Sequence, residues 1–525
     1  MLANHEPLSP LRFLQRCAEV FLDREAIVHG GRRSSYREFA QEAQRFARAL
    51  VGHVGPGEKV AVVAPNVPEM LIAHYAVPLA GGVLVPLNPR LSARELRYIL
   101  EHSEARVVLA DSEVVGTVAE VAGALEPSPV VVEVTDPVTG AAPVAPERTL
   151  SYARFLDAGA EGPDLPWRVA DENAPITLNY TSGTTGKPKG VLYSHRGAYL
   201  NALGEVFHNG FDGGSRYLWT LPMFHCNGWC TTWAVTAAAA RHVCLRAVRA
   251  DAIWAALDAE GITHLCGAPV VCTTIVDAEQ AHPLERPLRI TTAGAPPAPS
   301  VIERLEAHGV DVVHVYGLTE VYGPYTICEP QESWRELSPA ERARTMARQG
   351  VGMLQAESAR VVDDEMQDVP TDGQTLGEVV LRGNNVMLGY HRDEAATAEA
   401  FRGGWYHTGD LGVMHPDGYL QLKDRAKDII ISGGENISSI EVEQALLSHP
   451  DVLDVAVVGV PHETWGERPV AHVVRSSASR VTPDELRAHA AQRLARFKVP
   501  DTIAFSEALP RTATGKVRKN ELRRG

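Results

Sequence analysis

The sequence lacks any apolar run long enough to cross a membrane. Its longest apolar stretch, Ala73–Leu87, is interrupted by His74, Pro78 and a pair of glycines, whereas a spanning helix needs roughly 20 apolar residues. The first residues, Met1–Phe13, also lack the apolar core of a secretory signal peptide. We therefore expect no transmembrane segment and a cytoplasmic location.

Positive charge is also in short supply. The chain carries 50 Lys and Arg against 65 Asp and Glu, which gives a formal net charge of −15 at pH 7. Such a surface repels the phosphate backbone of DNA and RNA, so we expect no nucleic-acid partner. A single bound nucleotide is compatible with this charge, because a few local amides and lysines are enough to hold it.

Cysteine is scarce, with seven residues in a chain of 525. The number is odd, and Cys226, Cys230, Cys244 and Cys266 lie in apolar surroundings. No paired set of Cys and His completes a tetrahedral zinc site. We predict reduced, buried thiols rather than disulfides or metal ligands.

Short apolar runs alternate with helical patterns over most of the chain. With 525 residues, the chain is too long for a single hydrophobic core. The segments Lys59–Ala64, Glu69–Ala80 and Val83–Pro86 show the alternation of strand, helix and strand. This pattern is typical of α/β layering with a largely parallel sheet. We predict a large N-terminal α/β domain of several subdomains, residues 1–426.

The pattern changes after a charged cluster, Lys423–Lys427, which reads KDRAK. A compact unit follows, from a short strand at Asp428–Ser432 to a last strand at Thr502–Ser506, with two helices and two strands between them. A unit of about 100 residues is a common domain size. We predict a small C-terminal α+β domain, residues 427–525, with the charged cluster as the linker.

The most informative segment is the loop Tyr180–Gly190, which reads YTSGTTGKPKG and contains three glycines, four Thr or Ser hydroxyls and two lysines. Glycine lets a backbone fold closely around a ligand, while hydroxyls and lysines bind phosphate oxygens. The loop is not a P-loop, because Thr181 and Pro188 occupy positions where that motif needs Gly and Ser or Thr. A polyphosphate site is the favoured interpretation, and a flexible hairpin loop is the alternative.

This loop resembles the phosphate-binding signature of the adenylate-forming superfamily, which includes acyl-CoA synthetases, luciferases and the adenylation domains of peptide synthetases. Five more motifs resemble that family in its order and at its spacing: YGLTE (Tyr316–Glu320), YHTGDLG (Tyr406–Gly412), KDRAKD (Lys423–Asp428), GGENIS (Gly433–Ser438) and PRTATGKVRK (Pro510–Lys519). The resemblance covers nearly the whole chain, and it implies a large and a small domain joined by a hinge.

The resemblance implies an ATP site and a magnesium ligand. The residues expected to bind the triphosphate are Thr181, Ser182, Gly183, Thr184, Thr185, Gly186, Lys187 and Lys189. Those expected around adenine and ribose are Gly294, Ala295, Pro296, Tyr316, Gly317, Asp410 and Arg425. Glu320 would hold Mg²⁺ against the phosphates, since a carboxylate is a hard ligand for a hard cation, and Thr319 would contact the α-phosphate.

The resemblance also assigns catalysis to the small domain. Lys516 would bridge the carboxylate and the α-phosphate and stabilise the transition state of adenylation. Lys427 would be the hinge about which the small domain rotates. Gly433, Gly434 and Glu435 would then contact coenzyme A, the glycines giving the pantetheine arm close access to the backbone.

The segment Met223–Cys230, which reads MFHCNGWC, resembles the acyl-pocket motif of the family. His225 would lie near the carboxylate, although a core histidine is the alternative. The other candidates for the acyl pocket are Asn227, Gly228, Trp229, Val270, Ala293 and Leu318. We expect an apolar monocarboxylic acid: a medium-chain fatty, an aryl or a short functionalised acid.

Three functions follow from these motifs. The first is an acyl-CoA synthetase that uses ATP, Mg²⁺ and coenzyme A, with a small-molecule carboxylic acid and CoA as its partners. The second is an adenylating enzyme that transfers the acyl group to an amine or alcohol. The third is an inactive binding module, which the presence of Glu320, Asp410, Arg425 and Lys516 disfavours. The oligomeric state stays open, a homodimer included.

Overall fold

The structure is a computed structural model that describes residues 4–140, 144, 147–181, 187–294, 299–425, 427–432, 435–462, 465–476, 479–512 and 517–523. Within these residues no helix is long and apolar enough to cross a membrane. The strands in this described part of the chain form four sheets, three in the large N-terminal region and one in the C-terminal unit.

Helices and strands alternate from the first helix to residue 157. The elements are α1 (Leu11–Val20), β1 (Glu25–His29), β2 (Arg32–Ser35), α2 (Tyr36–Val51), β3 (Lys59–Val63), α3 (Pro68–Leu79), β4 (Val83–Leu87), α4 (Ala93–Ser103), β5 (Ala105–Asp111), α5 (Val115–Gly123), β6 (Val130–Val134), β7 (Leu150–Ser151) and α6 (Tyr152–Asp157). The helix α4 begins with a capping box in which Ser92 and Glu95 satisfy each other's backbone N–H groups.

The next segment contains the loop and pocket motifs. Its elements are β8 (Pro175–Thr181), β9 (Lys189–Ser194), α7 (His195–Asn209), β10 (Arg216–Trp219), α8 (Cys226–Trp229), α9 (Thr231–Ala237), β11 (Arg241–Cys244), α10 (Ala250–Glu260), β12 (His264–Gly267), α11 (Pro269–Val276), β13 (Leu288–Thr292), α12 (Pro299–Ala307), β14 (Val310–Leu318) and β15 (Gly323–Ile327).

Two large sheets result from this alternation. One has the order β19-β9-β8-β4-β3-β5-β6-β7, where β19 is Gly389–Tyr390, and the other has the order β16-β15-β14-β13-β12-β10-β11-β1-β2, where β16 is Val351–Gly352. The strands from β8 to β7 in the first order pair in parallel with one another, and so do the strands from β14 to β1 in the second. The strands β9 and β15 pair antiparallel with β8 and β14. The largest hydrophobic cluster joins side chains of both sheets and of the helices α2, α3 and α9.

A four-stranded antiparallel sheet completes the large region. After α13 (Pro339–Met346), its strands follow in the order β17 (Arg360–Val362), β18 (Gly377–Leu381), β20 (Tyr406–Met414) and β21 (Leu420–Arg425), with α14 (Glu394–Ala400) between β18 and β20. The prediction of a linker over Lys423–Lys427 is therefore wrong for its first three residues. They belong to β21 because Arg425 pairs with Asp410 and Leu411 with Asp424 across the ladder.

The C-terminal unit has its own sheet and core. Its elements are β22 (Ile430–Ser432), β23 (Glu435–Ile437), α15 (Ser439–Leu447), β24 (Val452–His462), β25 (Gly466–Arg475), α16 (Pro483–Ala491), β26 (Thr502–Phe505) and α17 (Lys519–Leu522). Val442, Leu446 and Leu486 from the helices pack with Val457 and Val473 from the strands. A large α/β domain followed by a small α+β domain is therefore confirmed.

Candidate active site

The nucleotide loop predicted at Tyr180–Gly190 connects two antiparallel strands. The strand β8 leads into it and β9 leads out, and Thr181 pairs with Lys189 across the ladder. This pairing fixes both ends of the loop on the sheet. The other candidates of the loop, Ser182, Gly183, Thr184, Thr185 and Gly186, lie outside the described residues.

Two aromatic rings lie beside the lysines of this loop. Lys187 Nζ lies 5.6 Å from the ring centroid of Tyr98 on α4, and the Tyr98 hydroxyl donates to the Pro188 carbonyl at 3.2 Å. Lys189 Nζ lies 4.4 Å from the ring centroid of Tyr390 on β19. Because the face of an aromatic ring attracts an ammonium group, α4 and β19 hold the positive charges of the loop in place.

The predicted metal ligand Glu320 lies just after β14, in a short 3-10 helix that spans Thr319–Val321. The Tyr390 hydroxyl donates to Glu320 Oε1 at 3.0 Å. Burial, followed by the negative charge of Glu320, raises the pKa of Tyr390, so this hydroxyl keeps its proton. Tyr390 thus holds both the Glu320 carboxylate and Lys189. Sequence reasoning missed it, because the two residues are 70 positions apart and a Gly-Tyr pair carries no chemistry by itself.

The surroundings of Glu320 fit Mg²⁺ held jointly with phosphate. Among the described residues no group of three or more His, Cys, Asp or Glu side chains converges to form a metal cage. Glu320 is half-buried, and Tyr390 is the hydrogen-bond partner of its Oε1. Mg²⁺ is usually bound by one or two carboxylates together with substrate phosphates, so one carboxylate at the mouth of the loop suits this cation.

The adenine and ribose candidates contact one another. The Tyr316 hydroxyl donates to Asp410 Oδ2 at 2.7 Å, and Arg425 Nε lies 3.2 Å from Asp410 Oδ1. Burial and then the charge of Asp410 raise the pKa of Tyr316. Burial alone would lower the pKa of Arg425, but the negative groups around it, Asp410 first among them, together outweigh burial and the pKa rises. The three side chains therefore form one charged, preorganised group, near the ends of β14 and β21 and in the middle of β20.

The glycines of the adenine pocket allow a close approach of backbones. A Cβ added to Gly317 would lie 1.7 Å from the Gly323 carbonyl oxygen, so no side chain fits between β14 and β15 there. Gly294 follows β13 with a φ of +97°, a conformation that favours glycine. The candidates Ala295 and Pro296 lie outside the described residues.

The acyl-pocket motif forms a left-handed turn over Cys226–Cys230. The φ angles are 50° at Cys226, 50° at Asn227, 57° at Gly228, 55° at Trp229 and 60° at Cys230. Four of these residues carry a Cβ, and left-handed helical backbone costs such residues roughly 1–2 kcal/mol each. Strain of this kind persists only where the surrounding contacts over-determine it, and it concentrates at functional sites.

The acid candidates lie beyond the carboxyl ends of neighbouring parallel strands. The strand order is β14-β13-β12-β10; Leu318 ends β14, Ala293 follows β13, Val270 lies on α11 after β12, and the left-handed turn follows β10. Open α/β sheets bind ligands at this edge. Leu318 and Ala293 are half-buried and Trp229 is 6% exposed, whereas Val270 is 51% exposed and lines the outer part of this edge.

The acid and phosphate candidates come into contact at one point. Cys226 Sγ lies 3.3 Å from Thr319 Oγ1 and 3.9 Å from Nε2 of the half-buried His225. The Tyr193 hydroxyl donates to the Thr319 carbonyl at 2.5 Å. The α-phosphate candidate Thr319 is thus fixed by its backbone next to the histidine expected at the carboxylate.

Two residues of the motif face inward. A Cβ added to Gly228 would lie 2.6 Å from Cζ3 of Trp219, so this glycine lets the turn pack directly on the ring. The Asn227 side chain is fully buried and hydrogen-bonds to Thr177 and His74. Asn227 was expected to shape the acyl channel; its side chain is directed into the core, so its backbone is the part that remains for the pocket.

The small-domain candidates are only partly described. Lys427 is exposed, and its carbonyl accepts from Arg523 Nη2 at 3.4 Å. Glu435 is exposed at the start of β23. Gly433, Gly434 and Lys516 lie outside the described residues. The hydroxyl and backbone N–H of Ser92, assisted by the charge of Arg518, lower the pKa of Glu95 on α4.

Family models match almost the whole chain. The model described as "AMP-binding enzyme" matches residues 14–391, and the model described as "AMP-binding enzyme C-terminal domain" matches residues 441–516.

Similar proteins match over nearly their full lengths. An acetate–CoA ligase of Humulus lupulus is 44% identical, with 99% of this chain and 95% of that protein covered. A peroxisomal acetate/butyrate–CoA ligase of Arabidopsis thaliana is 42% identical with the same coverage, 99% and 95%. Among solved structures, ATP-bound MatB from Rhodopseudomonas palustris is 26% identical and superimposes with a TM-score of 0.84 over 98% of this chain and 99% of that one. The chain therefore belongs to the AMP-binding enzyme family, which confirms its assignment to the adenylate-forming enzymes and, within them, to the acyl-CoA synthetases.

Proposed function

We propose that this enzyme is an ATP-dependent acid:CoA ligase that acts on a short apolar monocarboxylic acid. The acid and ATP form an acyl-adenylate and pyrophosphate, and the thiol of coenzyme A then displaces AMP to form the thioester. The observation that carries the proposal is the 3.3 Å contact between Cys226 Sγ and Thr319 Oγ1. It joins the nucleotide candidates at the end of β14 to the acid candidates of the left-handed turn.

The part of the site that binds ATP, which we call the nucleotide half, has to bring two anions together. In this proposal Thr181, Ser182, Thr184, Thr185 and Lys189 bind the β- and γ-phosphates, with Lys187 beside them. Asp410 accepts from the ribose hydroxyls and Arg425 donates to the sugar. Mg²⁺ bound at Glu320 supplies positive charge at the triphosphate. Donors fixed in place before the reaction stabilise developing charge without reorganisation, and the contacts of Tyr390 and Tyr316 provide that fixation here.

The part of the site that binds the carboxylic acid, which we call the acid half, positions the attacking carboxylate. His225 lies at the start of the left-handed turn, next to the α-phosphate candidate Thr319. Trp229, Ala293 and Leu318 form the apolar wall, and Val270 stands at its outer end. Holding the acid oxygen against the α-phosphorus converts a bimolecular encounter into an oriented reaction within the complex.

The small domain serves both half-reactions. We propose that Lys516 neutralises the charge between carboxylate and α-phosphate during adenylation, and that rotation about Lys427 then brings Gly433, Gly434 and Glu435 to the site for thioester formation. The domain boundary lies between residues 426 and 427.

The acid is proposed from two observations. The relatives in Humulus lupulus and Arabidopsis thaliana carry the names of acetate and butyrate ligases, and the bulky Trp229, which we assign to the pocket wall, is buried. Both favour a short chain over the medium-chain acids that the motifs alone allow. The cytoplasmic location and the homodimer remain predictions; the Arabidopsis relative is named peroxisomal.

The decisive experiment is a turnover assay of the purified protein with ATP, Mg²⁺ and a panel of acetate, butyrate, octanoate and cinnamate, with and without CoA. Pyrophosphate, AMP and thioester are measured separately. The proposal expects CoA-dependent AMP release and a mass-verified thioester, largest for acetate or butyrate. Preference for octanoate or cinnamate would overturn the short-acid assignment. Turnover that needs an amine or alcohol instead of CoA would replace the ligase with the amide- or ester-forming alternative.

A further inference from the structure

A chain of buried polar side chains connects the strand that enters the nucleotide loop with the left-handed turn. On β8, Asn179 Nδ2 donates to Thr177 Oγ1 at 3.0 Å, and Thr177 Oγ1 donates to Asn227 Oδ1 at 2.9 Å. Asn227 Nδ2 lies 3.0 Å from Nε2 of His74 on α3. The four side chains are at most 2% exposed. We call this set (Asn179, Thr177, Asn227 and His74) the buried polar chain.

The far end of the buried polar chain sets the direction of its hydrogen bonds. His74 Nδ1 lies 2.7 Å from the carbonyl oxygen of Met70, which can only accept, so Nδ1 carries the proton and Nε2 accepts from Asn227. Burial lowers the pKa of His74 to about 4, so the ring is neutral near pH 7. The amide nitrogen of Asn227 therefore serves His74 and its carbonyl serves Thr177.

Asn227 lies in the middle of the strained backbone. Besides its two side-chain partners, its carbonyl oxygen accepts from Thr232 Oγ1 at 3.1 Å. Asparagine tolerates the left-handed region better than most residues, yet its neighbours Cys226 and Trp229 have no such preference. A turn that is unfavourable by itself is therefore held in part by the contacts made at Asn227, beside those at Cys226 and Gly228.

We propose that Thr177 and Asn227 are positioning residues that couple acid binding to nucleotide binding. The inference rests on the proposed function, because it places ATP in the loop after β8 and the acid beside the turn. Thr177 belongs to the strand that ends at Thr181, and its hydroxyl is the link from that strand to Asn227. A shift of β8 on binding phosphate reaches His225 and Trp229 through this hydroxyl. By linkage, the acid must strengthen nucleotide binding by the same factor.

The test compares butyrate affinity with and without nucleotide. Calorimetry with α,β-methylene-ATP, which cannot transfer AMP, gives the butyrate Kd of each state. For the wild type we expect the bound nucleotide to lower the Kd of butyrate by at least about fivefold. The variant Thr177→Val keeps the shape of the side chain but removes its hydrogen-bond donor. The coupling factor, which is the butyrate Kd without nucleotide divided by the Kd with it, should then fall to about one. The KM for butyrate should rise more than the KM for ATP. Thr177→Ser keeps the hydroxyl and should retain the wild-type factor even if Thr177→Val folds poorly.

A matched substitution distinguishes a loss of coupling from the general effect of removing a buried hydroxyl. Thr236→Val removes a hydroxyl that is equally buried and lies 3.0 Å from His242 Nε2, outside the buried polar chain; its factor should match the wild type. A wild-type factor of one, an unchanged factor in Thr177→Val, or loss of the factor in Thr177→Ser would overturn the inference. None of these results would affect the proposed function, which the thioester assay tests separately.

Discussion

The nucleotide half and the acid half of this site achieve a fixed geometry by different means. In the nucleotide half, charged groups hold one another on the surface of the sheet: Asp410 contacts Tyr316 and Arg425 within 3.2 Å, and Tyr390 lies between Glu320 and Lys189. In the acid half, a strained turn is held from behind by uncharged, fully buried partners.

This difference has a physical reason. In the proposed function the nucleotide half binds the same triphosphate, ribose and metal in every turnover, so its ligands include charged groups. The acid half has to present an apolar wall, and charged partners there would lose solvation without gaining a ligand. Neutral hydrogen bonds behind the turn avoid that cost. The following changes test whether the two halves are separable.

The largest effect is expected for Lys516→Ala. Loss of the charge that the transition state of adenylation requires should lower pyrophosphate release by at least about 10²-fold. Thioester formation from supplied acyl-AMP should stay within a few-fold of the wild type, because that half-reaction uses the other pose of the small domain. The two rates are measured separately in single-turnover assays.

The control for this change is Lys59→Ala. Lys59 lies at the amino end of β3, whereas the loop follows the carboxyl end of β8 in the same sheet. It should leave both half-reactions unchanged. Equal losses of both half-reactions in Lys516→Ala would contradict a domain that alternates between two tasks.

A smaller effect is expected for Glu320→Gln, confined to the nucleotide half. The neutral amide keeps the size of the side chain but is a poorer Mg²⁺ ligand, so the Mg²⁺ concentration for half-maximal rate should rise about 10- to 100-fold. Tyr390→Phe, which removes only the hydroxyl on Glu320 Oε1, should raise it less. Both are read from Mg²⁺ titrations of the adenylation rate. A changed order of preference among the acids in either variant would show that the halves are not separable.

The nucleotide half could be predicted from the sequence to a large extent. Gly, Thr and Lys in one short loop indicate phosphate binding by residue type alone. Asp410 and Arg425 lie in motifs whose spacing is informative. The structure brings those two residues together across β20 and β21, although the sequence favoured a linker where Arg425 stands. A run of charges resembles a solvated linker unless its partner strand is known.

The acid half could not be predicted to the same depth. The left-handed turn contains one glycine, and nothing in Cys-Asn-Gly-Trp-Cys indicates positive φ at all five positions. The inward direction of Asn227 depends on Thr177 and His74, which lie 50 and 153 positions away. Contacts of this range become visible only when the two sheets are assembled.

Trp229→Ala should change the acid half alone. Removing the indole from the pocket wall makes room for several methylene groups, and each is worth enough to shift kcat/KM several-fold. The ratio of kcat/KM for octanoate to that for butyrate should rise by about tenfold, with an unchanged KM for ATP. Trp405→Ala, which removes a ring packed against Arg360 and Arg382, is the control. An unchanged acid profile would remove Trp229 from the pocket.

The smallest effect concerns the stability of the fold at low pH, which should depend on the buried polar chain behind the left-handed turn. Burial lowers the pKa of His74 to about 4, whereas an unfolded histidine has a pKa of about 6.5. Between these values the unfolded chain binds a proton that the folded chain does not, so stability is complete above about pH 6.5 and is lost as the pH falls towards 4. Protonation of His74 Nε2 also removes the acceptor for Asn227.

The prediction is a Tm that falls by several degrees between pH 7 and pH 5, with a shallower slope in His74→Gln, which cannot take up that proton. His282→Gln, at a largely exposed histidine that pairs with Asp258, controls for the loss of an imidazole and should keep the wild-type slope. Thermal unfolding at a series of pH values measures all three proteins. If His74→Gln lost stability with the same slope as the wild type, the neutral ring would not be part of what holds the turn, and the distinction between a charged and an uncharged half would lose its main support.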